Sequence, residues 1–178
     1  MTSFIELIQQ RRSCRLYDQK PLTPEQLEVL TKALLWSPTS KNNRPWEFVL
    51  VTDPDRLKQM SLAKPHGASF MAGAPLAVVI LADPSQSDVW IEDTAVAATL
   101  LQMTAEDIGL GSCWIQIRDR KHESGETASN VIKSILHVPS HLEVAMVITI
   151  GYKAKERNPN TDAMLLREKI HIGSYRQH

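Results

Sequence analysis

The chain has 178 residues and a mass of 20.0 kDa, enough for a sizeable core, and residues 1–178 read as one domain. Its 20 Lys and Arg are balanced by 20 Asp and Glu, which leaves no basic excess to hold a nucleic-acid backbone and makes any anion site a local one. No apolar run is long enough to span a bilayer, the start MTSFIELIQQRR has no apolar core of a secretion signal, and there are only two cysteines. The expectation is therefore a soluble, reduced, cytoplasmic protein with no membrane partner.

Ser3 and Glu6 form a capping-box pattern for a short helix from Phe4 to about Gln10. Its end releases a basic segment, Arg11-Arg12-Ser13-Cys14-Arg15, with forked donors and a hydroxyl suited to a phosphate. Arg-rich pentapeptides are more often plain solvated surface, so the segment alone is weak evidence. Cys14, flanked by arginines, is open to a lowered thiol pKa, although a small residue filling a tight loop is the reading we favour. Thr23, Pro24 and Gln26 repeat the capping pattern for a helix from Pro24 to about Trp36, with Leu27, Leu30 and Leu34 on one face.

Ser37 to Thr52, SPTSKNNRPWEFVLVT, takes the chain from helix end through a polar loop into a strand beginning at Trp46. Asp53-Pro54 starts another short helix, and Leu76–Ala82 is an unbroken apolar run, hence a strand covered on both faces. Trp90 to Ile108 is the longest helix, with Asp88, Glu92 and Asp93 at the positive end of its dipole and Gly109 as its stop. Ala95 to Leu101 is apolar or small on nearly every side, an excess that calls for cover beyond one chain, so a charge at Ala98 should oppose association. Further strands are expected over Ser112–Ile117, where Cys113 should be buried, and over Val144–Ile150. A charged, mobile surface excursion at 118–128 leads into a helix from about Ser129 to Leu136, and the tail after Tyr152 is polar.

Three tempting motifs carry less. Gly109-Leu110-Gly111 follows a helix and opens a strand, the reverse of a dinucleotide fingerprint. His137 and His141 are separated by Pro139 and lack a third ligand, so no metal is expected. Ser112 lacks the setting of a nucleophile elbow.

Taken together, RRSCR, SPTSKNNRPW, the acidic-headed Ala-rich helix, LGSCWI and the late IGY occur in one order between Phe4 and Tyr152. The set resembles the nitroreductase family of FMN-dependent oxidoreductases. That resemblance implies an α/β (α+β) sandwich with a mixed, mostly antiparallel sheet flanked by helices, working as a domain-sharing homodimer. It implies that Arg11, Arg12, Ser13 and Arg15 hold the FMN phosphate and ribityl end. Pro38, Thr39, Ser40 and Asn42 would line the flavin from the partner subunit, and the backbone around Ile115 and Gln116 would approach the ring. The flavin would carry the chemistry, with no side-chain catalyst, by a ping-pong transfer from NADH or NADPH to a small electron-poor acceptor such as a nitroaromatic, quinone or enone. Dehalogenating or flavin-cleaving chemistry, and a flavin-holding role with little turnover, are the alternatives. The chain departs from the family pattern in having Arg44 where Gln is usual and Gln116 where Gly is common. It also lacks a basic residue at Ala163 or Met164, which leaves Arg157 or Arg167 as substitutes, and carries the charged loop 118–128.

Overall fold

Two central strands, one of them apolar along its whole length, organise the chain. In the computed structural model, which describes residues 3–175, the helices are α1 (Phe4–Gln10), α2 (Pro24–Leu35), α3 (Pro54–Met60), α4 (Trp90–Asp107) and α5 (Ala128–Leu136). The strands are β1 (Trp46–Val51), β2 (Leu76–Ala82), β3 (Gly111–Gln116) and β4 (Glu143–Gly151), paired in the order β1-β2-β4-β3. All three pairings are antiparallel. The expected mixed sheet thus has its parallel element only in the isolated bridge between Ser13 and Ser112.

Every residue of β2 is buried, and its alternation divides the interior in two. Ala77, Val79 and Leu81 join a core with Leu57, Met60, Ile115 and Ile132 beneath α3 and α5. Leu76, Val78 and Ile80 join a second core with Leu30, Leu34, Ala97, Ala98 and Leu101 beneath α2 and α4. Each Val, Leu or Ile so buried contributes roughly 1.5–3 kcal/mol, which fixes the register, because a slip of one residue would exchange the two faces.

Both capping boxes form, at Ser3/Glu6 and Thr23/Gln26. Asp53 accepts the N–H groups of Asp55 and Arg56 at the start of α3. Helix α2 stops one residue short of expectation, with Trp36 as its cap and 77% exposed. Gly109, at φ 76°, lies just beyond α4, where a left-handed residue ends the helix.

One sequence expectation needs correction. Ala97, Ala98, Leu101 and Ala105 of α4 are not left for a partner to cover; each is 0% exposed within this chain, packed under α2 and against the sheet. The apolar residues that α4 does present outward are Ile91, 36% exposed, and Val96, 40% exposed. Sequence periodicity showed too much apolar girth without showing which side the chain itself covers. The segment 118–128 is also tighter than expected. Lys121 bridges to Thr127, the His122 N–H donates to the Glu126 carbonyl at 2.8 Å, and Thr127 caps α5.

Gly111 and Gly151 face each other across β3 and β4, and both admit another segment to the sheet. A Cβ on Gly111 would lie 2.7 Å from the Cβ of Cys14, and one on Gly151 would lie 2.6 Å from the Pro75 ring. Gly111→Ala should therefore push the Cys14 segment off the sheet and cost about 1–3 kcal/mol. Gly73→Ala, where nothing stands within 4 Å, should change the urea midpoint little by comparison. Equal midpoints in the two variants would mean that this close approach contributes nothing to stability.

Candidate functional site

Helix α1 ends at Arg11, whose N–H returns to the Leu7 carbonyl at 2.9 Å. The chain then runs along the outer edge of β3, which is the edge strand of the sheet. Ser13 bridges to Ser112, and the Cys14 N–H donates to the Ser112 carbonyl at 2.9 Å. From the next turn the Tyr17 hydroxyl donates to the Cys14 carbonyl at 2.6 Å and meets Thr149 Oγ1 at 2.8 Å. These bonds hold a basic segment rigidly against a strand that would otherwise show unpaired main chain. Burial pushes the Cys14 thiol up, more than the nearby Lys153 pulls it down. Cys14 accordingly fills a tight loop and is not an activated nucleophile. Cys113 is buried, as expected from the sequence.

The tail completes this site. Arg12 Nη1 donates to the Asn158 carbonyl at 2.6 Å and Arg157 Nη1 to the Ser13 carbonyl at 3.4 Å. Beside these contacts lies an open cavity of about 300 Å³ lined by Ser13, Cys14, Arg15, Leu16, Lys155 and Arg157. Arg15 is steadied over the Phe70 ring, 5.7 Å from its centroid. Lys153 is neutralised by Glu106 at 2.7 Å, but Arg11, Arg12, Arg15, Lys155 and Arg157 make no ion pair with a carboxylate among the described residues. Arg15, Lys155 and Arg157 line the cavity, with Arg11 and Arg12 on the adjoining segment, an arrangement whose uncompensated charge and forked donors suit an anion such as phosphate. Of the two tail arginines left open by the sequence, Arg157 lines the cavity and Arg167 does not. Lys155 was missed. No pattern in the sequence marked it.

At the other end of β3, alternation decides which main-chain groups face outward. Because the Ser112 carbonyl points to Cys14, Trp114 and Gln116 share that outer edge, while Ile115 pairs with Val147 of β4 and buries its side chain. Of the two expected residues, Gln116 is thus the one on the open edge. Lys64 Nζ donates to its carbonyl at 2.9 Å. The Gln116 side chain accepts from Trp114 Nε1 at 3.1 Å and donates to the Arg118 carbonyl at 3.1 Å, and the Arg118 guanidinium lies 6.0 Å from the Trp90 ring centroid. Burial pushes the Cys113 thiol up, opposed by Arg15, Ser13, Arg11 and Lys64. Lys64, whose own pKa is drawn down by burial and by Arg120, is a second residue that sequence reasoning missed, since it stands in an unpatterned turn.

The polar loop lies elsewhere. Ser40–Asn42 form a single 3-10 turn, with Lys41, Asn42 and Arg44 at φ 51°, 58° and 50°, each costing on the order of 1–2 kcal/mol for a side-chain-bearing residue. Asp93, 5% exposed in the first turns of α4, holds the loop by accepting the Ser40 N–H at 2.8 Å and the Ser87 hydroxyl at 2.9 Å. Thr39 Oγ1 accepts the Arg44 N–H and Asn42 Oδ1 accepts Arg44 Nε, while Pro38 is exposed. The loop therefore sits at the start of α4, and the cation cluster sits at its end, beside Glu106. Thirteen residues of helix separate Asp93 from Glu106, about 20 Å at 1.5 Å per residue. Within one chain the two halves of the expected site are not brought together. Replacing Asp93 with Ala should free the strained loop, and trypsin should then cleave after Lys41 at least tenfold faster than in the wild type, read by mass spectrometry. An unchanged rate would mean that Asp93 does not hold the loop.

The model of the Nitroreductase family matches residues 8–64 and 62–152. An FMN-dependent nitroreductase of known structure from Clostridium difficile superposes with a TM-score of 0.94 at 40% identity, over 96% of this chain and 99% of its own. A protein of Archaeoglobus fulgidus, whose name pairs NADH dehydrogenase with NAD(P)H nitroreductase, is 30% identical over 162 residues, 89% of this chain and 90% of its own. The NADPH:FMN oxidoreductase of Vibrio harveyi shares the fold at 18% identity, with a TM-score of 0.81 over 98% of this chain and 79% of its own. With the family model matched across most of the chain and two relatives aligned over nearly their full length, this chain belongs to the nitroreductase family.

Proposed function

We propose that the protein is an FMN-dependent oxidoreductase working as a homodimer, and the observation that carries this reading is the set of uncompensated cations beside the edge of β3, three of which, Arg15, Lys155 and Arg157, line one cavity. FMN ends in a phosphate dianion, and Arg11, Arg15, Lys155 and Arg157 would hold it, with Ser13 adding a neutral donor. Gly111 lets the Cys14 segment lie close to β3, since a Cβ there would meet Cys14 and Lys153. Arg12, already bonded to Asn158, would hold the tail in place rather than the phosphate. Lys64 and the outer main chain of Gln116 would meet the polar edge of the ring. When bound, FMN supplies the redox chemistry, accepting a hydride from NADH or NADPH and passing electrons to a nitroaromatic, quinone or enone in a ping-pong sequence. The protein's part is to bind, orient and exclude water. Conversely, a flavin-holding protein without turnover would oxidise NAD(P)H no faster when such an acceptor is added.

The gap of about 20 Å along α4 supports a shared site. Two copies packed about a twofold axis with their α4 helices antiparallel would bring the polar loop of each beside the cation cluster of the other. Apolar surface is available for such packing at Ile91 and Val96 of α4, at Phe4, Ile5 and Ile8 of α1, and at Met164, Leu165 and Leu166 in the tail.

Purified protein should be yellow, or become so on titration with FMN, and should take FMN in preference to FAD. A colourless protein that ignores FMN contradicts the proposal. Arg11→Ala should weaken FMN binding by about 1.5–3 kcal/mol, as expected for a charge-assisted contact. Arg118, paired with Asp119 at 2.7 Å, should matter less, and equal affinities in the two alanine variants would move the phosphate site elsewhere. Val96→Glu should yield a folded monomer that has lost flavin, seen by sedimentation with absorbance detection, whereas Ala98→Glu should unfold the subunit itself. A Val96→Glu monomer that keeps FMN tightly would rule out the shared site.

A further inference from the structure

The polar loop carries two cations that the phosphate cluster does not use. Lys41 and Arg44 are exposed, and neither forms an ion pair with a carboxylate among the described residues. The obvious counter-charge, Asp93, has both oxygens engaged by Ser40 and Ser87. Nor are the two side chains carried on slack backbone. The Arg44 N–H donates to Thr39 Oγ1 at 3.0 Å and its Nε to Asn42 Oδ1 at 2.9 Å, while the Asn43 side chain donates to the Gln86 carbonyl at 2.9 Å. The Arg44 fork is thus oriented from its Nε, and its terminal amino groups make no hydrogen bond among the described residues.

We propose that Lys41 and Arg44 determine specificity, selecting reactants that carry an anionic group over neutral ones. The inference rests on the function proposed above, in which this loop lies beside the partner's flavin, and deepens it by naming the substrate class. A guanidinium fork and a neighbouring ammonium suit the 2′-phosphate of NADPH or a carboxylate on an aromatic acceptor, since both present several acceptor oxygens with full negative charge. The phosphate of FMN is not the anion concerned, because the cluster that would hold it carries its own cations.

The test uses flavin-loaded protein and two matched pairs of unreactive probes, benzoate against benzamide and NADP⁺ against NAD⁺, titrated through the change in flavin absorbance. The wild type should bind the member with the additional anionic group, benzoate or NADP⁺, tenfold or more tightly than its counterpart in at least one pair. The Lys41→Gln/Arg44→Gln double variant should lower that preference to threefold or less, while Lys58→Gln on the exposed face of α3 should leave it unchanged. A loss confined to NADP⁺ assigns the cations to the dinucleotide phosphate, and a loss confined to benzoate assigns them to the acceptor. Either supports the proposal. If the wild type shows no preference in either pair, or the double variant keeps both ratios within twofold of the wild type, the proposal is overturned while the flavin reading stands. A wild-type protein that holds no flavin overturns both.

Discussion

The seating of residues 11–17 on the outer edge of β3 is the contact on which the rest depends. An edge strand presents unpaired main-chain groups, and here they are met by the Ser13–Ser112 bridge and the Cys14 N–H. Glycine at 111 and 151 lets that segment lie close, and the Tyr17 hydroxyl locks it from behind. Without this docking, the arginines would be a solvated run on a helix end. With it Arg15 becomes a fixed charge at one cavity, joined there by Lys155 and Arg157 from a tail that is itself tied back through Arg12 and Gln9. A cation held by a rigid frame needs little reorganisation to meet an anion, which is the physical basis of a preorganised site.

The second constraint is the length of α4. Its inner side is covered by the chain's own core, so its ends are fixed in place, and each end carries one half of the proposed site. At the start, the buried Asp93 holds a strained loop; at the finish, Glu106 neutralises Lys153 beside Gly111. An eighteen-residue helix cannot be bridged by side chains from one end to the other, whereas the antiparallel pairing of two such helices proposed above would remove the distance. Strain in three consecutive-region residues, at Lys41, Asn42 and Arg44, is tolerated only where surrounding bonds over-determine the backbone, and such positions gather at ligand-binding loops.

Much of the architecture was legible in the sequence because local rules determined it. The capping boxes at Ser3 and Thr23, the proline starts at 24 and 54 and the unbroken apolar run 76–82 each have one good structural solution. The family, too, was legible from motif order, and the comparison with known proteins bears it out. What escaped the reading was whatever depends on contacts distant in sequence. Periodicity cannot say that Ala98 faces α2 and Val96 faces outward when nearly all neighbours are small or apolar. Asp93 read as a dipole charge, because nothing near it in sequence announces that Ser40 will need an acceptor. Lys64 and Lys155 lie in segments without a pattern, and only the folded chain carries them to β3. Ile115 and Gln116 looked equivalent until strand pairing fixed which of the two turns its main chain outward.

The central claim is that each flavin site takes its cation cluster from one subunit and its polar loop from the other. Subunits carrying Arg11→Ala and Arg15→Ala can be mixed with subunits carrying Asp93→Ala, and FMN bound to the tagged mixed dimer measured by absorbance. If the site is shared, one of the two sites in the mixed dimer draws both intact halves, and flavin binding returns although neither parent binds well. If the mixed dimer binds no more FMN than its parents do, each site lies within a single chain and the account is wrong.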